Sequence, residues 1–252
     1  MDVRTRRQHI VRALNQRGAL HVAELAAELG CSDMTVRRDL ESLERDGVLR
    51  RVHGGAVRSA LGAEETPYAV RALQQVAAKS AIGAAAAALL VDGETVVVDG
   101  GSTALEVARS LQDRRLTVMP LALRPAIELC DHPGIRLILP GGEVRPGELS
   151  FTGSLADPAF AALRFDACIL GICGIDPDAG VTTHLLAEAT VKRAAVTASR
   201  RVIAVADSEK LGRVAFGHVC PLAHVDVLVT DATADEEAVQ ALARAGVDVR
   251  IA

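Results

Sequence analysis

Two groups of residues in the sequence have types and spacings suited to binding phosphate-bearing molecules. The first is the run Thr35-Val36-Arg37-Arg38. Arginine can donate two hydrogen bonds to the O6 and N7 atoms of guanine, and threonine can reach a base or a phosphate. A second basic run, Arg50-Arg51-Val52-His53-Gly54-Gly55, follows it on a turn that glycine permits. These residues are of the kind that read double-stranded DNA.

The second group begins with Asp99-Gly100-Gly101-Ser102-Thr103, a glycine turn with two hydroxyls at the start of a predicted helix. Converging N–H groups and the helix dipole make such a turn a cradle for an anion. Other glycines and charged side chains further along the chain follow predicted strands or lie on one helix face. The candidate effector-binding residues are Asp99, Gly101, Ser102, Thr103, Gly141, Gly142, Gly174, Glu188, Lys192, Asp207 and Lys210.

Each feature also has a plainer interpretation. The arginines at 37 and 38 can lie on a solvated helix and pair with Asp39 and Glu41. His53 can be a turn residue with no ligand. Glu188 and Lys192, at i and i+4, can form an ordinary surface ion pair. Any tight turn between a strand and a helix needs a glycine, so the turn alone proves little.

The elements that position the first group are short. Apolar residues at helical spacing predict helices over 5–17 and 22–29, and a third helix begins at Ser32, a good N-cap. On that helix Val36, Leu40 and Leu43 form one apolar stripe, so the arginines face the other way. A strand over 48–52 and a turn at 53–55 follow. This order is that of a winged helix-turn-helix, whose recognition helix presents its N-terminal half to base edges. The candidate DNA-binding residues are Ser32, Met34, Thr35, Arg37, Arg38, Arg51, His53 and Gly54.

Beyond a predicted linker, residues 59–70, the pattern changes. We expect an Ala-rich helix over 71–90, then apolar runs alternating with helical patterns. The predicted strands are 95–98, 116–119, 136–139, 167–170, 202–206, 225–229 and 247–251. Such alternation predicts a mostly parallel sheet flanked by helices, with ligands at the carboxyl ends of its strands. The fold class is therefore α/β, with a DNA-binding domain at 1–58 and an effector-binding, oligomerising domain at 71–252.

Charge and composition agree with this division. Residues 1–58 carry 11 Lys and Arg against 8 Asp and Glu, a net charge of +3, whereas the rest carries 17 against 24, a net charge of −7. A basic head and an acidic body suit a protein that meets DNA with one end. Aromatic residues are only 2% of the chain, which argues against a stacking platform for single strands.

The cysteines and the hydropathy pattern set further limits. The five cysteines are scattered, without a CxxC pair, so we expect buried reduced thiols and no disulfide framework or metal site. We find no apolar signal segment, and the longest Ala-rich run is too short to span a bilayer. The expectation is a cytoplasmic protein without a membrane partner.

The motifs resemble one family. Thr35-Val36-Arg37-Arg38-Asp39-Leu40 and the wing Arg51-Val52-His53-Gly54-Gly55-Ala56 are similar to the N-terminal domain of the DeoR family of bacterial repressors. The remainder is similar to the effector domain of that family, which resembles ribose-5-phosphate isomerase and glucosamine-6-phosphate deaminase. The matching stretches are 99–103, 141–142, 188–192 and 207–212.

This resemblance implies a repressor of carbohydrate metabolism genes that binds a double-stranded operator as a homodimer or homotetramer. A phosphorylated sugar is the implied allosteric effector, with its phosphate at Ser102-Thr103 and a lysine nearby, and no cofactor or catalytic residue is expected. One departure is that residues 118–122, Val-Met-Pro-Leu-Ala, lack the Thr-Asn pair common in the family.

Two alternatives stay open from the sequence. One is a sugar-phosphate isomerase with an added head, using Asp99, Glu188 or Asp207 as general base. The other keeps the DNA-binding head but makes the body a dimerisation module with a vestigial pocket, which the missing Thr-Asn pair would favour.

Overall fold

The computed structural model describes residues 2–45, 49–52, 54–58 and 65–252. The chain divides into two compact units, Met1–Val76 and Ala77–Ala252. His53 and residues 59–64 of the predicted linker lie outside the described residues.

The N-terminal unit is a winged helix-turn-helix, as predicted. Its three-stranded antiparallel sheet has the order β1-β3-β2. Its elements are α1 (Val3–Arg17), β1 (Ala19–His21), α2 (Val22–Leu29), α3 (Asp33–Arg45), β2 (Leu49–Val52), β3 (Gly55–Arg58) and α4 (Tyr68–Arg71). The described residues of the predicted linker are ordered, since Tyr68 and Val70 in α4 are buried and Val70 packs into the core of this unit.

Local sequence explains where these helices begin and end. The carboxylate of Asp2 accepts a hydrogen bond from Thr5 N at 2.8 Å and caps α1. Ser32 Oγ accepts one from Thr35 N at 3.3 Å, so Ser32 caps α3 as predicted. Gly18 and Gly30 end α1 and α2 in the left-handed conformation, at φ of 73° and 60°.

The C-terminal unit contains a seven-stranded, entirely parallel sheet and two small antiparallel sheets. The large sheet has the strand order β15-β14-β12-β9-β4-β5-β6. Its strands are β4 (Thr95–Val98), β5 (Leu116–Pro120), β6 (Ile135–Leu137), β9 (Ala167–Gly171), β12 (Val202–Val205), β14 (Val227–Thr230) and β15 (Asp248–Ile251). The small sheets contain β7 (Glu143–Val144) with β8 (Phe151–Thr152), and β10 (Gly174–Asp176) with β11 (Gly180–Thr183) and β13 (Gly217–Cys220).

Helices cover both faces of the large sheet, and each face has its own apolar core. Alternate residues of one strand enter different cores, as Val97 does on one side and Val96 and Val98 on the other. All three are fully buried. The helices are α5 (Val76–Ala87), α6 (Ser102–Ser110), α7 (Leu123–Leu129), α8 (Leu186–Thr197) and α9 (Glu236–Arg244).

The structure differs from the sequence prediction in several elements, among them β1 (Ala19–His21), which was not predicted. The helix expected over 71–90 is shorter, because Gln75 takes a left-handed φ of 51° and separates α4 from α5. The antiparallel pairs β7–β8 and β10–β11–β13 were not predicted, since their strands have two to four residues and little periodicity. Several strand ends move by one or two residues, as with β14 at Val227–Thr230 instead of 225–229.

Candidate DNA-binding surface and effector site

Helix α3 turns its apolar side chains inward and two arginines outward. Val36, Leu40 and Leu43 are at most 1% exposed and belong to the core of the head. Arg37 and Arg38 are exposed, and Met34 is 60% exposed. Arg37 and Arg38 therefore face solvent from the N-terminal half of α3, as the sequence predicted, although Asp33, Glu41 and Glu44 are exposed on the same helix.

Buried Asp39 is bound from the neighbouring helix. Its carboxylate accepts hydrogen bonds from the guanidinium groups of Arg6 and Arg7, the second at 3.3 Å, and both arginines lie on α1. The ion pairs fix α3 against α1, and the burial of Asp39 between them makes it a structural residue. The plainer interpretation is therefore wrong in its pairings, since Asp39 is bound by arginines of α1 and Glu41 by Arg51, but its solvated position of Arg37 and Arg38 is what the structure shows.

The wing is tied to the end of α3. The backbone N–H of Arg51 donates to Glu44 at 2.8 Å, and its guanidinium donates to Glu41 at 2.9 Å. Gly54 takes a φ of 79°, and a Cβ at Gly55 would lie 2.0 Å from Leu20 O, so neither position suits another residue. The structure thus brings Arg51 to α3 in an ion pair.

A buried charged contact of the C-terminal unit joins the end of β4, β9 and α8. Lys192 Nζ lies 2.7 Å from Asp99 Oδ2 and donates to Gly171 O at the same distance. Gly171 N donates back to Asp99 Oδ2 at 3.0 Å, and Gly100 N donates to Asp99 Oδ1 at 2.7 Å. Burial by itself lowers the pKa of Lys192, but Asp99 and Glu188 outweigh it, so the net shift of this pKa is upward and the ammonium stays charged.

Glu188, one turn before Lys192, binds a different partner. Its carboxylate accepts a hydrogen bond from Ser150 Oγ at 2.6 Å and lies 2.8 Å from the guanidinium of Arg145. Burial raises the pKa of Glu188, but Lys192, Ser150 and Arg145 together shift it below its ordinary value. Glu188 and Lys192 are both buried, so the interpretation as a surface ion pair is wrong.

The glycine turn lies directly beside this charged network. Gly101 takes a φ of 92° and precedes α6, where Ser102 is buried and Thr103 half-buried. A Cβ at Gly171 would lie 2.7 Å from Gly100 O, so β9 and the turn approach closely. The structure therefore brings Asp99, the turn and Lys192 together at the carboxyl edge of the sheet.

Asp207, which follows β12, adds a second buried carboxylate at the same edge. Its Oδ2 lies 3.6 Å from Nζ of Lys79, a buried lysine of α5. Its Oδ1 is buried without a hydrogen-bond partner. Lys210 is half-buried in the short 3-10 helix that follows. An unpaired buried carboxylate oxygen is an acceptor that a ligand hydroxyl can satisfy.

The remaining glycines have packing reasons for their identity. A Cβ at Gly142 would lie 2.3 Å from Thr152 O, and a Cβ at Gly174 would lie 2.3 Å from Arg213 O. Gly141 and Gly142 take φ values of 82° and 94°. They are exposed and lead into the β7–β8 hairpin that carries Arg145 towards Glu188.

The segment 118–122, which lacks the Thr-Asn pair expected from the resemblance, is apolar. Pro120 is the last residue of β5, and Leu121 and Ala122 are buried. Leu121 makes only backbone hydrogen bonds, to Val98 O and from Phe151 N. The β5 end of the sheet is therefore apolar.

Sequence reasoning missed Lys79, Arg145, Ser150 and the structural role of Asp39. Lys79 had one available signal, since a lone lysine in an Ala-rich apolar helix needs a buried partner. Arg145 and Ser150 lie on a hairpin whose position no periodicity predicts.

Comparison with known proteins assigns both units. A family model for the DeoR-like helix-turn-helix domain matches residues 6–60, and one for the DeoR C-terminal sensor domain matches residues 74–232. The chain is 38% identical over 228 residues to the transcriptional repressor AccR of Agrobacterium fabrum, covering 90% of this chain and 88% of that protein. It is 32% identical over 238 residues to the glycerol-3-phosphate regulon repressor of Escherichia coli, covering 94% of each.

The chain belongs to the DeoR family. This DeoR-family protein is a DNA-binding transcription regulator with a C-terminal sensor domain, and the isomerase alternative from the sequence is wrong. Among solved structures it is similar to ribose 5-phosphate isomerase A from Neisseria gonorrhoeae, at 13% identity and a TM-score of 0.40 over 52% of each chain.

Further structural findings concern cysteines, metals and membranes. All five cysteines are free; Cys168 and Cys220 are buried, but Cys130 is exposed, so the expectation of buried thiols holds only in part. Burial raises the pKa of Cys220 to about 11. In the described ranges, no cluster of His, Cys, Asp and Glu is arranged to hold a metal ion. Every helix of those ranges is too short or too polar to cross a lipid bilayer.

Proposed function

We propose that this DeoR-family regulator represses genes of carbohydrate metabolism and that a phosphorylated sugar controls its binding to DNA. The observation that carries the proposal is the Asp99–Lys192 pair beside the Gly100-Gly101-Ser102-Thr103 turn. Two of the relatives named above are repressors, one of them of the glycerol-3-phosphate regulon.

The turn is the phosphate-binding part of the proposed site. The N-terminus of the nine-residue helix α6 supplies N–H groups and a positive dipole end, and Ser102 and Thr103 add hydroxyl donors. Two hydrogen bonds, to Asp99 and to Gly171 O, hold the ammonium of Lys192 in place, so it contributes positive charge at short range from a fixed position. A dianionic phosphate at the turn would be stabilised by both.

The sugar part of the effector would reach the remaining polar groups. Asp207 Oδ1, which has no partner, would accept a hydrogen bond from a hydroxyl, and Lys210 and Arg145 lie on flanking segments. No atom lies within 4 Å of where a Cβ at Gly141 would be, so the ligand would approach the backbone there, and Gly142 and Gly174 would lie along the same side of the site. The apolar segment Pro120-Leu121-Ala122 would select a ligand with fewer polar contacts on that side.

The N-terminal unit would bind the operator through α3 and the wing. Arg37, Arg38, Thr35 and Met34 face outward and would contact base edges in the major groove. The backbone N–H groups at the start of α3, which Ser32 caps, would hold a phosphate of the DNA. Arg51 and Gly54 of the wing would lie along the sugar-phosphate backbone of the DNA. We propose the same for His53, which falls outside the described residues.

Regulation requires only that the effector binds one arrangement of the sensor domain better than another. The difference in binding free energy then appears as a change in operator affinity, typically about 1–3 kcal/mol. A homodimer or homotetramer would present paired heads to an inverted repeat.

A ligand screen tests the sensor assignment directly. Thermal unfolding of the full chain is measured with glycerol 3-phosphate, ribose 5-phosphate, glucosamine 6-phosphate and fructose 6-phosphate, with the unphosphorylated compounds as controls. We expect one phosphorylated compound to raise the melting temperature, since a ligand present at 100 times its Kd stabilises the native state by about 2.7 kcal/mol. No shift with any phosphorylated sugar would favour the dimerisation module with a vestigial pocket.

A further inference from the structure

Helix α5 carries a buried lysine to which the proposed site gives no role. Lys79 is 4% exposed, and its Nζ lies 3.6 Å from Asp207 Oδ2. This is the distance of an ion pair and is longer than a hydrogen bond. The same helix packs apolar residues into the core: Ile82, Ala86 and Ala87. Since a buried charge is costly unless an opposite charge compensates it, the position of the ammonium depends on the carboxylate of Asp207.

The carboxylate of Asp207 has one oxygen for α5 and one for a ligand. Oδ2 faces Lys79, whereas Oδ1 is buried and has no hydrogen-bond partner among the described residues. A ligand hydroxyl that donates to Oδ1 would draw negative charge towards that oxygen and fix the orientation of the whole carboxylate. The ion pair between Asp207 and Lys79 therefore differs between the free protein and the complex with a ligand.

Helix α5 also contacts the helix that begins at the phosphate turn. A Cβ at Gly83 would lie 2.6 Å from the carbonyl carbon of Glu106, so the backbones of α5 and α6 touch at this point. Gly83 comes one turn after Lys79, and Glu106 comes one turn after Ser102, the first residue of α6. The first turns of α5 thus meet both parts of the proposed site, the helix that would hold the phosphate and the carboxylate that would bind the sugar.

Along the chain, α5 is the first helix after the head. Val70 belongs to the core of the head, and Leu73 packs against the same core. Helix α5 begins at Val76, so only Gln74 and Gln75 separate it from residues that the head holds in place. A displacement of the start of α5 therefore has two residues of chain in which it can be absorbed.

We propose that α5 is the element through which the effector acts on the head, and that Lys79 is the positioning residue that connects α5 to Asp207. The other helices of the site do not lead to the head, because α6 lies between β4 and β5 and α8 lies between β11 and β12. The inference rests on the proposed function, which supplies the ligand that binds Asp207. The effector changes the ion pair, the ion pair sets the position of the first turn of α5, and the chain passes the change to the head.

Operator affinity without any added compound tests the ion pair first. Fluorescence anisotropy with the full chain compares the wild type with Lys79→Met, Asp207→Asn and the double variant. We expect each single variant to change the affinity about threefold or more, and the double variant to match the single ones, because both substitutions break one contact. The matched control is Asp166→Asn, at a half-buried carboxylate that binds Thr95 at the amino edge of the sheet, and it should leave the affinity unchanged. Melting temperatures check that every variant is folded.

The response to the effector gives a second readout, which a merely structural role of Lys79 would not change. Glycerol 3-phosphate, ribose 5-phosphate, glucosamine 6-phosphate and fructose 6-phosphate are each added at a concentration that saturates the shift in melting temperature of the protein under test. We expect Lys79→Met still to be stabilised by the compound that stabilises the wild type, while the change in operator affinity falls from about fivefold to about twofold or less.

Three results would overturn the proposal: wild-type operator affinity in both single variants, additive changes in the double variant, or a full effector response in Lys79→Met. A chain that none of the four compounds stabilises would contradict the proposed function. The affinities measured without any compound would still decide whether the Lys79–Asp207 pair acts on the head.

Discussion

The two units of the molecule use charge in opposite ways. In the head, α3 turns Arg37 and Arg38 to solvent and keeps one buried charge, Asp39, for attachment to α1. In the sensor domain the charges are turned inward: Asp99, Lys192 and Glu188 are all buried, Lys192 is bonded to Asp99, and Glu188 is bonded to Ser150 and Arg145. Exposed charges contribute little to stability, whereas buried ones must be paired. Substitutions in the head should therefore change binding, and substitutions at the sensor site should change stability too.

The largest effect is expected from breaking the Asp99–Lys192 pair. Lys192→Met leaves the carboxylate of Asp99 buried without its cation, which should lower the free energy of unfolding of the sensor domain by about 3–5 kcal/mol. Urea denaturation followed by circular dichroism measures the loss. The double variant Asp99→Leu, Lys192→Met should recover part of the lost stability. An unaltered denaturation midpoint for Lys192→Met alone would show that the pair does not stabilise the domain.

The next effect concerns operator affinity and should leave stability unchanged. Arg37→Ala or Arg38→Ala should cost about 1–3 kcal/mol of specific DNA binding if the arginine reads a base. Fluorescence anisotropy on an operator from the DNA flanking the gene measures this, and urea denaturation should give the wild-type midpoint. Arg115→Ala, at a side chain of the sensor domain that is 82% exposed, is the control. Wild-type affinity in both α3 variants would remove these residues from the DNA contact.

A smaller effect should follow from the phosphate turn. Thr103→Val removes one hydroxyl from a half-buried position and should weaken effector binding about tenfold, without changing the melting temperature of the free protein. Isothermal titration with the sugar phosphate found in the screen measures the affinity, and Thr103→Ser should retain it. If Thr103→Val binds the effector as tightly as the wild type does, Thr103 does not contact the phosphate.

The smallest effect is in the pH dependence of stability. Because the pKa of Glu188 is below its ordinary value in the folded state, its contribution is present above the unfolded pKa and is lost as the pH falls through the folded one. Melting temperatures of the wild type should therefore fall more steeply in acid than those of Glu188→Gln. Glu237→Gln, on the exposed face of α9, should behave as the wild type does. Parallel curves for all three proteins would contradict the assignment.

The sequence predicted the head better than the sensor site. Helix α3 has an apolar stripe and a capping serine, and the preceding helix α2 ends at Gly30. These are local features of the sequence, so helical geometry was enough to predict the outward position of Arg37 and Arg38. The alternation of apolar runs with helical patterns predicted the parallel sheet. The topology of such sheets predicted that the site lies at the carboxyl ends of the strands.

The partners of buried charges did not follow from the sequence. Lys192 meets Asp99 across 93 residues, and Glu188 meets Arg145 across 43, on a hairpin with no periodic signal. Spacing of i and i+4 placed Glu188 and Lys192 on one face but gave the wrong contact for both, because tertiary packing decides which opposite charge a buried group meets. For the same reason, the sequence did not predict that Asp207 Oδ1 is buried without a hydrogen-bond partner.

The most direct test is an operator titration with and without the sugar phosphate that stabilises the protein, on the wild type and on Thr103→Val. We predict that the effector changes the operator affinity of the wild type by about fivefold or more, and that Thr103→Val needs about ten times as much effector for the same change. An operator affinity that is the same with and without effector, at saturating effector and in the wild type, would contradict control of the DNA-binding head by the sensor domain.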